Sequence, residues 1–148
     1  MKYQVRITTR AGCKALEPRR VRELVETTLG NHDFKACEVS VLFCRDEEIA
    51  RLNAQYLGKN RPTDVLSFSQ AEGEGFPQGG EIPLLGDIVI STPTARRSAQ
   101  EYGVTSEEET ERLVIHGLLH LLGYDDEDPQ NKKAMFKVQE EILHHCRR

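Results

Sequence analysis

The order of apolar and polar positions divides the chain into short segments with two different periods. Residues 3–9 alternate and carry β-branched side chains, which predicts a strand. Residues 18–29 bring Val21, Leu24, Val25 and Leu29 onto one face of a 3.6-residue repeat, which predicts a helix. Residues 38–44 predict a second strand. Asp46 stands where a cap would open a helix over residues 47–56, with Ile49, Leu52 and Tyr56 on its apolar side. Pro62 breaks that pattern, and Val65-Leu66-Ser67-Phe68 predicts a third strand. Residues 85–91 form a near-continuous apolar run, as expected of a strand covered on both faces. Pro93 opens a short helix that stops near Gly103. Thr105 and Glu108 have the spacing of a capping box for a long helix that reaches Leu122 and stops at Gly123. A last helix spans about residues 129–146, with Met135, Val138 and Ile142 turned inward. Strands and helices mix without strict alternation, which predicts an α+β layer fold: a four-stranded sheet backed by helices.

The 148 residues suit one domain over residues 1–148, and 38% hydrophobic with 30% charged residues is ordinary for a soluble globular protein. No apolar run approaches the roughly 20 residues that span a bilayer. The first residues lack the long apolar core of a signal peptide, so a cytoplasmic location is expected, with no membrane partner. Cys13, Cys37, Cys44 and Cys146 show no C-x-x-C spacing and are expected to be free thiols. A net charge of −4 argues against a general nucleic-acid binder, although basic residues cluster locally, at Lys59 and Arg61 among other places. Residues 71–83 hold four of the eleven glycines and two prolines, and are expected to form a mobile loop over part of a cleft.

The chemistry concentrates between His116 and Asp126. His116 and His120 are four residues apart on a helix, so their rings share one face and can reach a single ion at about 2.0–2.1 Å. Zincin metalloproteases use this pair with a glutamate after the first histidine as general base; here that position is Gly117, which argues against peptidase activity. A catalytic zinc takes three protein ligands and a water. The chain turns at Gly123, so Asp125, Asp126, Glu127 and Asp128 are all candidates for a third, carboxylate ligand.

From His116 to Asp126 the sequence resembles the signature H-G-x-L-H-L-x-G-Y-D-H of the YbeY family of metal-dependent bacterial endoribonucleases. It meets every position but the last, where Asp126 replaces a histidine. Pro62-Thr63-Asp64-Val65-Leu66-Ser67-Phe68 resembles the family's P-T-D-V-L-S-F strand, and residues 85–91 resemble its L-G-D-I-x-I-S strand. Asn53 and Tyr56 fit the preceding segment, although Leu57 replaces a common arginine. The resemblance implies a zincin-like α+β fold, a mixed sheet with the metal-binding helix over it, and one Zn2+, with Ni2+ or another divalent ion as substitute. It makes Asp126 the third ligand ahead of Asp125. It further implies a single-strand-specific endoribonuclease in rRNA maturation, at the 3′ end of the small-subunit rRNA, and in ribosome quality control. RNA is then the partner, together with ribosomal proteins or a ribosome-associated GTPase.

Within that reading Asp87, Ser67 and Asp64 are the candidate catalytic groups around the metal, and Lys59 and Arg61 the candidate phosphate contacts. The chain has no tryptophan and few aromatics, so affinity is expected to rest on phosphate contacts and to fall with salt. Two other readings remain: a metal-dependent hydrolase of another substrate, such as a peptide, and a ribosome-associated binding module with a structural metal. Gly117 discriminates against the first, and an open coordination position would discriminate against the second.

Overall fold

A computed structural model describes residues 2–59, 63–70 and 82–147. Its elements run β1 (Tyr3–Thr9), α1 (Pro18–Asn31), β2 (Cys37–Cys44), α2 (Asp46–Leu57), β3 (Val65–Ser69), β4 (Leu84–Ser91), α3 (Thr92–Tyr102), α4 (Ser106–Leu121) and α5 (Pro129–Cys146). The sheet order is β1-β2-β4-β3, parallel except for β3, which pairs antiparallel to β4. The expected mixed four-stranded sheet is therefore present, with the anticipated element boundaries met to within a residue or two. The mobile loop expected at residues 71–83 falls almost wholly outside the described residues.

Alternation along the strands divides the apolar side chains between two faces. Val39, Val41 and Phe43 of β2 and Ile88 and Ile90 of β4 join the main core with Leu24, Val25, Leu29, Ile115, Leu118 and Leu119 from α1 and α4. Cys44 and Val89 face the other way, into a smaller cluster with Ile49 of α2 and Leu66 of β3. Coverage on both faces is why β4 reads as a near-continuous apolar run, broken only at Asp87 before its terminal serine. The four cysteines are free, and burial pushes the Cys37 thiol up to about 11 and the Cys44 thiol up to about 12, so both stay protonated at neutral pH. No helix among the described residues is long and apolar enough to cross a membrane.

Two caps differ in detail from the sequence reading. Asp46 does not cap α2, whose N-cap is Arg45 with no side-chain bond. Its carboxylate instead accepts from Ser91 Oγ and Thr94 Oγ1, each at 2.6 Å, and from Arg97, and so ties α2 to the start of α3. The hydroxyls prevail over the local amides because they and the arginine approach the carboxylate together. Thr105 does cap α4, accepting from the Glu108 amide, but the Glu108 carboxylate turns away to Arg112.

Glu111, fully buried, joins three helices. Its carboxylate takes Arg20 of α1 at 2.7 Å and also binds Arg147 just beyond α5, while Arg20 donates a further bond to the Cys146 carbonyl. Removing one partner leaves a buried carboxylate half-compensated. Arg20→Ala is expected to lower stability by about 3 kcal/mol, read as a lower urea midpoint at unchanged slope; an unshifted midpoint would show that Arg147 alone suffices.

Candidate metal centre

The metal-ligand face of α4 is set by how closely the helix approaches the sheet. A Cβ at Gly117 would lie 2.8 Å from Ile88 Cγ2 and 3.1 Å from Ser67 Oγ, so only glycine permits this contact. Ser67 Oγ donates to the Gly117 carbonyl at 3.0 Å, pinning β3 to the helix. One turn on, Leu121 covers Gly86 of β4, where a Cβ would also meet the Phe68 carbonyl at 2.6 Å. With this side of α4 locked down, His116 and His120 face a cleft, half-buried.

Both imidazoles are oriented from behind. His120 Nδ1 lies 3.1 Å from the Tyr124 carbonyl, which can only accept, so Nδ1 carries the proton and Nε2 presents its lone pair. His116 Nδ1 lies 2.7 Å from Gln139 Oε1, and the Gln139 amide nitrogen donates to Glu140, which fixes the amide orientation and hence the tautomer. These supports have supports of their own. The Tyr124 hydroxyl meets His32 Nε2 at 2.8 Å, and His32 Nδ1 donates to the Thr28 carbonyl. Glu140 binds Arg112 through both oxygens. Burial opposes the ionised Glu140 carboxyl, but hydrogen bonds from Arg112 and Gln139 outweigh it and hold it below its ordinary range.

The turn after α4 selects the third donor. Gly123 adopts φ 103°, a left-handed conformation that glycine tolerates, and reverses the chain. Asp125 is occupied by the Glu127 amide, and Asp128 caps α5 through the Asn131 amide. Asp126 instead points back, its Oδ2 3.6 Å from His116 Nε2 and 3.5 Å from His120 Nε2, while the two Nε2 atoms are 3.1 Å apart. A tetrahedral ion with bonds of about 2.0–2.1 Å needs ligand atoms about 3.3–3.4 Å apart. The three donors therefore outline one face of such a tetrahedron, with two lone pairs and a carboxylate converging on one point, and His116, His120 and Asp126 could hold a metal ion. No fourth histidine, cysteine or carboxylate joins this group among the described residues.

The group lies in a cleft of about 800 Å3, also lined by Asn53, Leu57, Lys59, Asp64 and Ser67. Asp64, Ser67 and Lys59 thus line the same cleft as the metal group. Asp87 is not among the lining residues; its carboxylate accepts from Gln70 Nε2 at 3.0 Å. Arg61 lies outside the described residues. Sequence reasoning missed Gln139, Tyr124 and His32 as supports. Gln139 left one trace: a polar residue on the inward side of a helix otherwise carrying Met135 and Ile142, and it is indeed buried. Gln139→Leu keeps the bulk but frees His116 to rotate, and is expected to weaken metal affinity by roughly 10- to 100-fold. Competition with a metal-sensitive dye measures this, and parental affinity would remove Gln139 from the support.

A mixed sheet with a histidine-bearing helix laid across it, closed by a carboxylate from the following turn, defines an α+β protein with a two-histidine, one-carboxylate site of metal-binding geometry. The model of the family described as Endoribonuclease YbeY matches residues 7–147. Proteins called Endoribonuclease YbeY are 37% identical in Sulfurihydrogenibium sp. (96% of this chain, 91% of that one) and 39% identical in Persephonella marina (97% and 93%). A third, from Treponema denticola, is 42% identical over 87% of this chain and 83% of its own. The solution structure of a Thermotoga maritima protein superposes with a TM-score of 0.63 at 28% identity, covering 97% of this chain and 89% of that one. The chain belongs to the YbeY family of endoribonucleases, hydrolases whose substrate is RNA.

Proposed function

We propose that this chain is a zinc-dependent, single-strand-specific endoribonuclease that acts in the cytoplasm on the 3′ end of the small-subunit rRNA precursor and in ribosome quality control, alongside ribosomal proteins or a ribosome-associated GTPase. The observation that carries the reading is the open triangle of His116, His120 and Asp126 in a cleft of about 800 Å3. Three protein donors leave a position for water or a phosphoryl oxygen, whereas a structural zinc is closed by a fourth. Nitrogen and oxygen donors suit zinc, and Ni2+ or another divalent ion would fit the same set. When bound, the ion supplies an acidified water and polarises the phosphate.

The chain's own groups divide the remaining work. With glycine at 117, the acid–base role falls to Asp64, a residue of the cleft wall whose backbone is anchored by its carbonyl accepting from the Ser91 amide. The Ser67 hydroxyl is committed to the Gly117 carbonyl and holds the helix in place. Asp87 braces β4 through Gln70. Lys59 supplies a phosphate contact beside Leu57, and Arg61 is assigned to the same strand of RNA. An unpaired strand is favoured because its backbone and 2′-hydroxyls can enter a cleft that a duplex cannot.

The test compares one RNA sequence as a single strand and as a duplex, with the parent and with Asp64→Asn. The single strand should be cut and the duplex spared, and Asp64→Asn should slow cleavage by about 10²–10⁴-fold at unchanged metal content. Equal cutting of both forms, or an unimpaired Asp64→Asn, would overturn the reading of specificity or of the base.

A further inference from the structure

We propose that Phe136, with Lys132 and Lys133, forms a stacking subsite that holds one unpaired base of the RNA beside the metal ligand His116. This rests on the endoribonuclease reading and says where the strand lies. The first half of α5 runs beside the metal group: Gln139 holds His116, and one turn earlier Met135 is buried at 1% exposure. The next residue, Phe136, is 58% exposed, although it belongs to a helix whose inward face is well filled. Its ring separates two hollows, and His116 lines both.

Charge distinguishes the two hollows. The larger, about 510 Å3, contains Asp64, Glu109 and Glu140 against a single arginine, Arg112, already paired with Glu108, Glu109 and Glu140. Asp64 is the proposed acid–base group, and beyond it the two glutamates outnumber the one arginine, so this wall offers no unpaired cation to a further phosphate. The smaller, about 380 Å3, is lined by the apolar Pro129, Met135 and Phe136, by His116, Asp126 and Gln139, and by the exposed Lys132 and Lys133. Both lysines are exposed and have no ion-pair partner among the described residues. An aromatic face, an apolar wall and two free cations at the rim match the parts of a nucleotide: a base for the ring, a phosphate for each ammonium. Stacking of this kind accepts any base, so the subsite adds affinity and register without sequence preference.

Abasic scanning tests the assignment. Each nucleotide of a short single-stranded substrate is replaced in turn by an abasic one, and KM and kcat are measured with the parent, Phe136→Leu and Phe136→Tyr. Leucine preserves apolar bulk at an exposed site, so folding is not at issue. The parent should show one abasic position with KM raised about tenfold and kcat little changed. Phe136→Leu should show that tenfold penalty on the intact strand and no further loss at that position, a non-additive pair that identifies direct contact. Phe136→Tyr should restore the parental pattern. Replacing Lys132 and Lys133 together by glutamine should reduce the salt slope of binding by about 0.7 for each phosphate that a lysine had neutralised. If the parent cleaves single strands but Phe136→Leu matches it at every position, the subsite is refuted while the endoribonuclease reading stands, and the exposed ring belongs to a protein contact. If the parent cleaves no single-stranded RNA, both fall.

Discussion

Asp126→Ala protein is expected to bind a divalent ion at least about tenfold more weakly than the parent, the minimum seen even for groups that only support a ligand, while Asp126→His retains binding. The expectation follows from the donor triangle. Without Oδ2 the two imidazoles, 3.1 Å apart, supply only two ligands, and no other acid among the described residues joins the group. Asp125 would have to leave the Glu127 amide, and Asp128 would have to abandon the first turn of α5. Histidine at 126 reaches farther than aspartate, and Gly123 gives the turn the freedom to accommodate it. Equilibrium competition against a chelating dye gives the affinities. Parental affinity in Asp126→Ala would mean that the third ligand is elsewhere.

Gly117→Glu, the change that would write the protease motif into this helix, is expected to destroy the site without creating a peptidase. The new Cβ meets Ile88 Cγ2 at 2.8 Å, and Ile88 is fully buried and branched at Cβ, so it cannot rotate aside. Overpacking alone costs about 1–3 kcal/mol, and Gly117→Ala should show that loss despite alanine's better helix propensity. Glutamate adds a carboxylate between helix and sheet, where burial without a partner costs several kcal/mol more. The sum approaches the whole stability of a typical domain, about 5–15 kcal/mol. Thermal unfolding should show little or no cooperative transition for Gly117→Glu and a lowered midpoint for Gly117→Ala. A Gly117→Glu protein with parental melting and metal content would refute the packing account.

Much of the fold was legible because both of its periods are local. Strand alternation and helical stripes need only neighbouring residues, and Gly103 and Gly123 mark real left-handed helix ends. The histidine pair was legible for the same reason: four residues on a helix fix a shared face. The third ligand was not fixed by spacing, since four consecutive acids follow the turn, and only the family resemblance singled out Asp126. The structure separates them by position: Asp125 and Asp128 already accept from backbone amides, Glu127 is exposed and outside the donor group, and only Asp126 turns back to the histidines, which is information held in the turn's three-dimensional path. Gln139 and His32 were beyond reach for a different reason. They lie 23 and 92 residues from His116 and Tyr124, the groups they hold, and no local pattern encodes that pairing. Asp46 shows the same limit from the opposite side, because a correct local preference for capping gave way to partners 45 and 48 residues away.

The most direct test of a metal-dependent ribonuclease centred on His116, His120 and Asp126 is a titration. Protein stripped of metal is given measured equivalents of Zn2+, and bound metal and cleavage of a single-stranded RNA are followed together. Activity should be absent without metal, rise linearly with bound ion, and saturate at one ion per chain, with no rise in His116→Ala or His120→Ala. Cleavage at the full rate by the stripped protein, or metal-restored cleavage in either histidine variant, would contradict it.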